Sequence, residues 1–265
     1  MKLNSNQRSF NVLGNVAIIN FSDDINKIDK IKFAKDILRK NKNIKTVLEK
    51  SRKFSGRLRK METKHLAGEK NKEVLYRENG CSFRFNIDTT YFSPRLSNER
   101  KEISSFIKNK GAVLVMFAGV APFSIVIAKN SKPDEVYSNE LNKEANKYAE
   151  LNAELNGVKN RIKFVNGDIK KVALKLKTQN KKFDFIIMPR PNLKESFLEQ
   201  AFMLSKKGTK IYYYDFCKVD ETDLIIKKIK EQAEKYKKKI KVLNIKSAGE
   251  TAPYKIRVRV NFEVL

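Results

Sequence analysis

The chain has 265 residues, 57 of them Lys or Arg and 30 Asp or Glu, for a formal net charge of +27. With 41% apolar residues it can build a core, which argues against wholesale disorder, and no uncharged apolar run is long enough to span a membrane. Charge on this scale points to a polyanionic partner and favours nucleic acid, although the joint abundance of Lys, Asn and Ile also fits a lysine-rich proteome bias. Two cysteines, Cys81 and Cys217, are too few and too far apart for a disulfide framework or a zinc site. A reducing, cytoplasmic compartment and no metal are therefore expected, with the lone His65 a surface or hinge residue.

The first third reads as small mixed elements. "NVAIINF" (15–21) is strand-like, "IDKIKFAKDILRK" (28–40) has helical spacing, and "IKTVLEK" is short and extended. A basic tract follows, "KSRKFSGRLRKMETKHLAGEK", with a turn at Gly56. "EVLYREN" and "CSFRFNID" then form a hairpin through Asn79-Gly80, a dipeptide that suits a tight turn. These residues predict a small α+β domain over 1–90.

From Tyr91 strands and helices alternate. "RLSNERKEISSFIKN" is helical, "AVLVMF" is a buried strand, and "PFSIVIAKN" is a helix whose Pro122 suits a first turn. "EVYSNEL", "RIKFVNGD", "FDFIIMPRP" and "TKIYYYDF" are further strands. "NKEANKYAELNAELNG" and "LKESFLEQAFMLSKKG" are helices stopped by Gly157 and Gly208. After the helix "LIIKKIKEQAEKYKK", the strands "KVLNIKSAG" and "YKIRVRVNFEV" come with only a short link. The fold class is therefore α/β. Residues 91–265 should form a Rossmann-like class I methyltransferase domain, with a mostly parallel seven-stranded sheet and a terminal antiparallel hairpin.

A cofactor site in such a sheet needs a tight loop after the first strand, an acid after the second for ribose hydroxyls and a polar group after the third for adenine. "FAGVAPF", Glu140 and Asp168 supply these in order, although Asp168 alone reads equally as a helix cap.

"YFSPRLSNER" (91–100), "VLVMFAGVAPFSIVIAK", "FIIMPRP" and the upstream "SGRLRKMETKHLAGEK" together resemble the archaeal and eukaryotic tRNA guanosine-37 N1-methyltransferase family and its relatives, the wyosine-pathway aminocarboxypropyltransferases. The resemblance implies transfer of the S-adenosylmethionine methyl group to N1 of guanosine 37 by a monomer acting on the tRNA anticodon loop. It makes Glu99 the base and Arg59 the stabiliser of the guanine, with Arg57 an equally basic neighbour. Read without the motif, Glu99 is an exposed helix residue paired with a lysine. By the same carry-over the cofactor meets Arg100, Phe117, Gly119, Ala121, Pro122, Phe123, Glu140, Leu141, Asp168, Ile169 and Met188. The base meets Tyr91, Phe92, Arg95 and Pro189, where Tyr91 reads equally as packing.

Four positions depart from the family pattern. Val115 replaces an acid, Glu140 replaces aspartate, and Met188 stands where relatives carry Asn. Ala121 replaces glycine, which is tolerable if its φ is negative. "MPRP" resembles an archaeal subgroup that also methylates a carbon of the tricyclic wyosine intermediate, 4-demethylwyosine. The absence of a segment before "FNVLGNVAIINF" implies no separate domain for the tRNA outer corner, leaving phosphate contacts from the Lys-rich surface to hold the RNA. Aminocarboxypropyl transfer and a non-catalytic RNA-binding protein are the rival readings.

Overall fold

The computed structural model describes residues 10–56, 58, 60–108 and 111–265. The chain divides into two compact units, Met1–Pro94 and Arg95–Leu265.

In the first unit β1 (Phe10–Leu13), β2 (Val16–Ile19), β3 (Thr46–Ser55) and β4 (Lys60–Gly68) form one sheet in that order. The β2–β3 pair is parallel because helix α1 (Lys27–Lys40) crosses between them, and the outer pairs are antiparallel. Asn26 caps α1 by accepting from the Asp29 amide, and Ala34 and Ile37 face Ala17, Ile19 and Val47 in the core. The basic tract with its turn at Gly56 is the β3–β4 hairpin. Arg57 and Arg59 lie outside the described residues. β5 (Glu73–Glu78) and β6 (Cys81–Asn86) pair through Asn79 and Gly80, both at positive φ (50° and 71°), as an Asn-Gly turn requires.

The second unit is built on a seven-stranded sheet. Helix α2 (Ser97–Phe106) leads into β7 (Ala112–Val115), α3 (Pro122–Asn130), β8 (Glu135–Glu140), α4 (Lys143–Leu155) and β9 (Ile162–Asn166). Then follow α5 (Ile169–Thr178), β10 (Phe183–Met188), α6 (Leu198–Leu204), β11 (Ser205–Lys218), α7 (Thr222–Lys235), β12 (Ile240–Ala252) and β13 (Lys255–Val264). The strand order is β12-β13-β11-β10-β7-β8-β9, with β13 antiparallel to both its neighbours and the remaining pairs parallel. The order reverses at β7, and ligands in such sheets bind beyond the strand C-termini at that reversal.

Two elements differ from expectation. The helix expected to end at Gly208 stops at Leu204, and residues from Ser205 belong to β11. Thr209 explains this: its hydroxyl donates to the Phe183 carbonyl and accepts from the Lys206 amide, seating a bulge with Gly208 at φ 83° inside the strand. The helix also starts late, because Phe197 sits at φ 58° before its first turn. Helix α5 had no separate signal beyond the alternation.

Glycine matters most at position 14. A Cβ there would lie 1.9 Å from the Leu75 carbonyl oxygen, whereas at Gly80 it would meet nothing within 4 Å. Gly14→Ala should therefore cost at least about 3 kcal/mol and Gly80→Ala about 1 kcal/mol, the left-handed backbone penalty alone. Urea unfolding followed by Tyr fluorescence checks the difference; equal costs would refute the close approach.

Candidate active site

The loop after β7 turns on three left-handed residues: Phe117 (φ 58°), Gly119 (φ 59°) and Ala121 (φ 65°). The condition under which alanine is readily tolerated at 121, a negative φ, is not met. The alanine carries its β-carbon through a conformation that disfavours it by roughly 1–2 kcal/mol. The strain is held from outside the loop. Glu140, at the end of β8, accepts the Gly119 amide on Oε2 at 2.8 Å and the Asn142 amide on Oε1 at 2.8 Å. The Ala118 amide reaches the Asn139 carbonyl at 2.8 Å, and Asn152 of α4 donates to the Val120 carbonyl at 3.3 Å. α3 begins at Pro122 with no side chain capping its N-terminus. Burial pushes the Glu140 carboxyl above its ordinary value, against the opposing pull of the Asn142, Gly119 and Leu141 amides.

Neighbouring loops are pegged the same way. The buried Asn139 amide donates to the Val165 and Gly167 carbonyls at 2.7 and 3.0 Å, fixing the loop from β9 to α5, and Asn146 donates to the Glu140 carbonyl. Asp168 caps α5 by accepting the Lys170 amide, so its helix-cap reading holds; Ile169 is buried in the first turn and Leu141 is half-buried beside Glu140. Phe117 meets the Phe197 ring edge-on at 4.9 Å, and the buried Arg100 guanidinium lies 5.6 Å from the Phe123 ring centroid. Glu140, Gly119 and Asp168 thus gather at the C-terminal ends of β7, β8 and β9. Met188 does not join them: its side chain is fully buried in the core with Leu114, Ile186 and Tyr213, so only its backbone can face a ligand. Val115 is likewise fully buried.

Glu99 is buried, which corrects its reading as an exposed helix residue. Its Oε2 accepts the Tyr214 hydroxyl at 2.8 Å and the Arg259 guanidinium at 2.5 Å, while Lys246 stands 3.8 Å from Oε1. Arg259, fully buried, also grips Glu102 at 3.0 and 3.2 Å, and its bond holds the Glu102 carboxyl below the ordinary range. Burial, then the Glu99 charge, raises the Tyr214 phenol well above its usual value, so it stays protonated and donates.

The sequence reading passed over Arg190 of "MPRP", which points inward. Its guanidinium bonds Asp215 at 2.5 Å, the Tyr213 hydroxyl at 3.1 Å and the Pro191 and Leu193 carbonyls at 2.9 and 3.0 Å, which fixes the loop carrying the half-buried Pro189. Arg95 is exposed, 3.4 Å from the Glu250 carbonyl. In the first unit, Phe92 stacks on Phe85 at 4.7 Å and meets Tyr76 at 5.0 Å, which makes it packing; Tyr91 beside it is half-buried. The motifs assign no role to Asn139, Arg190, Tyr214 or Arg259, although Arg190 lies inside "MPRP".

Comparison with known proteins places this geometry. Residues 74–243 match the TRM5/TYW2 methyltransferase domain, and residues 2–71 match the TYW2 N-terminal domain. Trm5b of Pyrococcus abyssi, a tRNA (guanine(37)-N(1))-methyltransferase, is 34% identical over 97% of this chain and 74% of its own; its crystal structure superposes with a TM-score of 0.83. Taw22 of Nanoarchaeum equitans, a tRNA (guanine(37)-N(1))/4-demethylwyosine(37)-methyltransferase, is 33% identical over 97% of this chain and 100% of its own. Methanocaldococcus jannaschii Trm5 in complex with adenosine superposes with a TM-score of 0.79 at 26% identity, over 97% of this chain and 72% of that one.

Arg190→Met should leave Asp215 buried with Lys228, the Tyr213 hydroxyl and the Phe216 amide as partners and destabilise the protein by about 3 kcal/mol. Arg190→Lys keeps the charge without the fork and should recover less than half of that loss. Urea midpoints measure both, and full recovery by lysine would refute the clamp.

Proposed function

The chain belongs to the TRM5/TYW2 methyltransferase family, and on that premise we propose that it transfers the methyl group of S-adenosylmethionine to N1 of guanosine 37, beside the anticodon of tRNA. The observation that carries this reading is the buried Glu99 carboxylate, with Oε2 committed to Tyr214 and Arg259 and Oε1, 3.8 Å from the Lys246 ammonium and beyond hydrogen-bond distance of it, placed to accept a proton. The coverage of Taw22 along its whole length supports 4-demethylwyosine as a second substrate at the same nucleoside. The enzyme works as a monomer on the anticodon loop, in the cytoplasm.

The residues beyond the strand ends suit S-adenosylmethionine. Glu140 after β8 would take the ribose hydroxyls, the backbone turned at Phe117, Gly119 and Ala121 would allow close approach with Arg100 and Phe123 alongside, and Asp168 would take the adenine. The bound cofactor supplies an electrophilic methyl group on a sulfonium. The protein has two remaining tasks. Guanine N1 must lose its proton as it attacks, and Glu99 takes that proton at Oε1. Charge that develops at O6 needs a cation, for which the resemblance supplies Arg59. Arg259 keeps Glu102 as a partner throughout, so protonation of Glu99 does not strand a buried guanidinium.

The test uses cofactor labelled in the methyl or in the carboxypropyl carbons, with tRNA carrying guanosine or 4-demethylwyosine at position 37. Methyl label alone in RNA is expected; carboxypropyl label would turn the reading to the rival transfer, and calorimetry without cofactor binding to a non-catalytic RNA-binding protein. Glu99→Gln should lower kcat at least about 100-fold and leave cofactor affinity near wild type; a fully active variant removes Glu99 as base.

Glu140 sets a pH dependence. Its carboxyl is raised in the free protein, so its contribution to stability is present below the ordinary carboxylate pKa and lost as pH rises through the raised value. Hydroxyl donors on a bound cofactor favour the charged form. Binding therefore releases a proton, and affinity should climb with pH through that same window before levelling. Calorimetry between about pH 5 and pH 8, in buffers of different ionisation heat, checks this. Glu140→Gln should show no such climb.

A further inference from the structure

The face of β11, β12 and β13 that α2 covers does not end where α2 ends. Past Phe106 a cavity of about 310 Å³ opens, its lining including Phe106, Lys108, Lys210, Tyr212, Leu243 and Asn261. Seven residues of helix, about 10 Å of rise, separate Phe106 from Glu99. This is a different place from the strand-end crevice.

Two buried polar groups in its wall lack partners. Tyr212 is only 4% exposed, and its hydroxyl makes no hydrogen bond among the described residues. Asn261 is 6% exposed; its Oδ1 accepts the Arg259 Nε at 3.0 Å, while its amide nitrogen donates to nothing described. An unsatisfied buried donor costs about 1–3 kcal/mol, so two in one wall call for an occupant that hydrogen-bonds. Burial lifts the Tyr212 phenol to about 12, so it is protonated at neutral pH and donates.

The remaining lining specifies the occupant. The Phe106 ring lies near-parallel to Tyr212, 6.0 Å between centroids and 14° between planes, with the Arg259 guanidinium 5.7 Å from its centroid, and it is itself 39% exposed, so it offers aromatic surface to the cavity. Lys108 and Lys210 stand exposed in the lining and make no ion pair among the described residues. A planar heterocycle that stacks on Phe106 and accepts from Tyr212 and Asn261, with an anionic group between two lysines, satisfies each of these features. The volume admits one such unit.

We propose that this cavity binds one nucleotide, its base against Phe106, Tyr212 and Asn261 and its phosphate between Lys108 and Lys210. The nucleotide is either free or part of an RNA strand. Both present the same chemistry, and the experiment separates them.

The full-length protein is first saturated with S-adenosylhomocysteine, so that the cofactor crevice cannot report. AMP, GMP, CMP and UMP, with adenosine as the phosphate-free control, are then titrated by saturation-transfer NMR and calorimetry, and an unmodified tRNA transcript is titrated in parallel. Tyr212→Phe removes only the hydroxyl. It should weaken binding roughly five- to tenfold and leave the thermal midpoint unchanged or higher, because a buried unpaired group is gone. Lys210→Gln should weaken nucleotide about tenfold and leave adenosine unaffected. Mononucleotide binding that both variants weaken assigns a free ligand. Silent mononucleotides with tRNA affinity lowered in both variants assign an RNA residue. The proposal is overturned if neither ligand responds to either variant, or if Tyr212→Phe lowers the thermal midpoint without touching affinity. Because every readout is binding, loss of methyl transfer as the enzyme's activity would leave the result standing.

Discussion

A guanidinium with no exposed surface has to be neutralised where it stands, and Arg259 is such a group. It sits on β13, in the antiparallel part of the sheet, and its two partners, Glu99 and Glu102, come from successive turns of α2. The pair therefore fixes both the height and the rotation of α2 on the sheet. Tyr214 on β11 adds a hydroxyl to the same carboxylate oxygen. Loss of either acid would leave Arg259 with the other, whereas loss of Arg259 would leave both acids to the half-exposed Lys246 and the Tyr214 hydroxyl. The orientation of Glu99 is thus a consequence of sheet packing, not of a loop.

The cofactor crevice obeys a second version of the same constraint, with backbone in place of charge. The loop after β7 passes through the left-handed region three times in five residues, and two of those residues carry side chains. Within the loop one bond, from the Ala121 amide to the Ala118 carbonyl at 3.0 Å, offsets part of that cost. Glu140, Asn139, Asn146 and Asn152 tie the loops to one another through amide and carbonyl groups. Asparagine suits this role because one side chain donates twice without a charge to desolvate. Arg190 performs the equivalent task for the loop after β10, where four acceptors surround a single fork.

The fold was legible in the sequence wherever pattern and punctuation agreed. The alternation from Tyr91 onward, the Asn79-Gly80 hairpin and the late paired strands each follow from local chemistry. The helix expected up to Gly208 was not legible, because a threonine bond to the neighbouring strand overrides the helical spacing. The strand "IRVRVNF" was legible as a strand but its faces were not. The alternation puts Arg257, Arg259 and Asn261 on one side, and all three are buried, with α2 supplying acids against Arg259. A period-2 pattern reveals that two faces differ, not which one water reaches. Glu99, Glu140 and Asp168 were found through order along the chain and through motif resemblance; their supporting residues have neither.

The departures in the cofactor loop can now be weighed. Val115 is enclosed by the sheet, its register partners Ser138 and Ile187 on either side, so a carboxylate there would need a buried partner of its own. Valine removes both that demand and the contact it would have served. The ordering of the loop then falls to Glu140, whose two oxygens already hold Gly119 and Asn142. Each oxygen keeps a further lone pair for a hydroxyl donor. One carboxylate therefore shapes the loop and keeps acceptor capacity toward the crevice. Ala121 is tolerated on similar terms: its own amide and carbonyl bond Ala118 and Ile125, its neighbours tie the rest of the loop to β8 and α4, and the alanine is held in a conformation it would not choose.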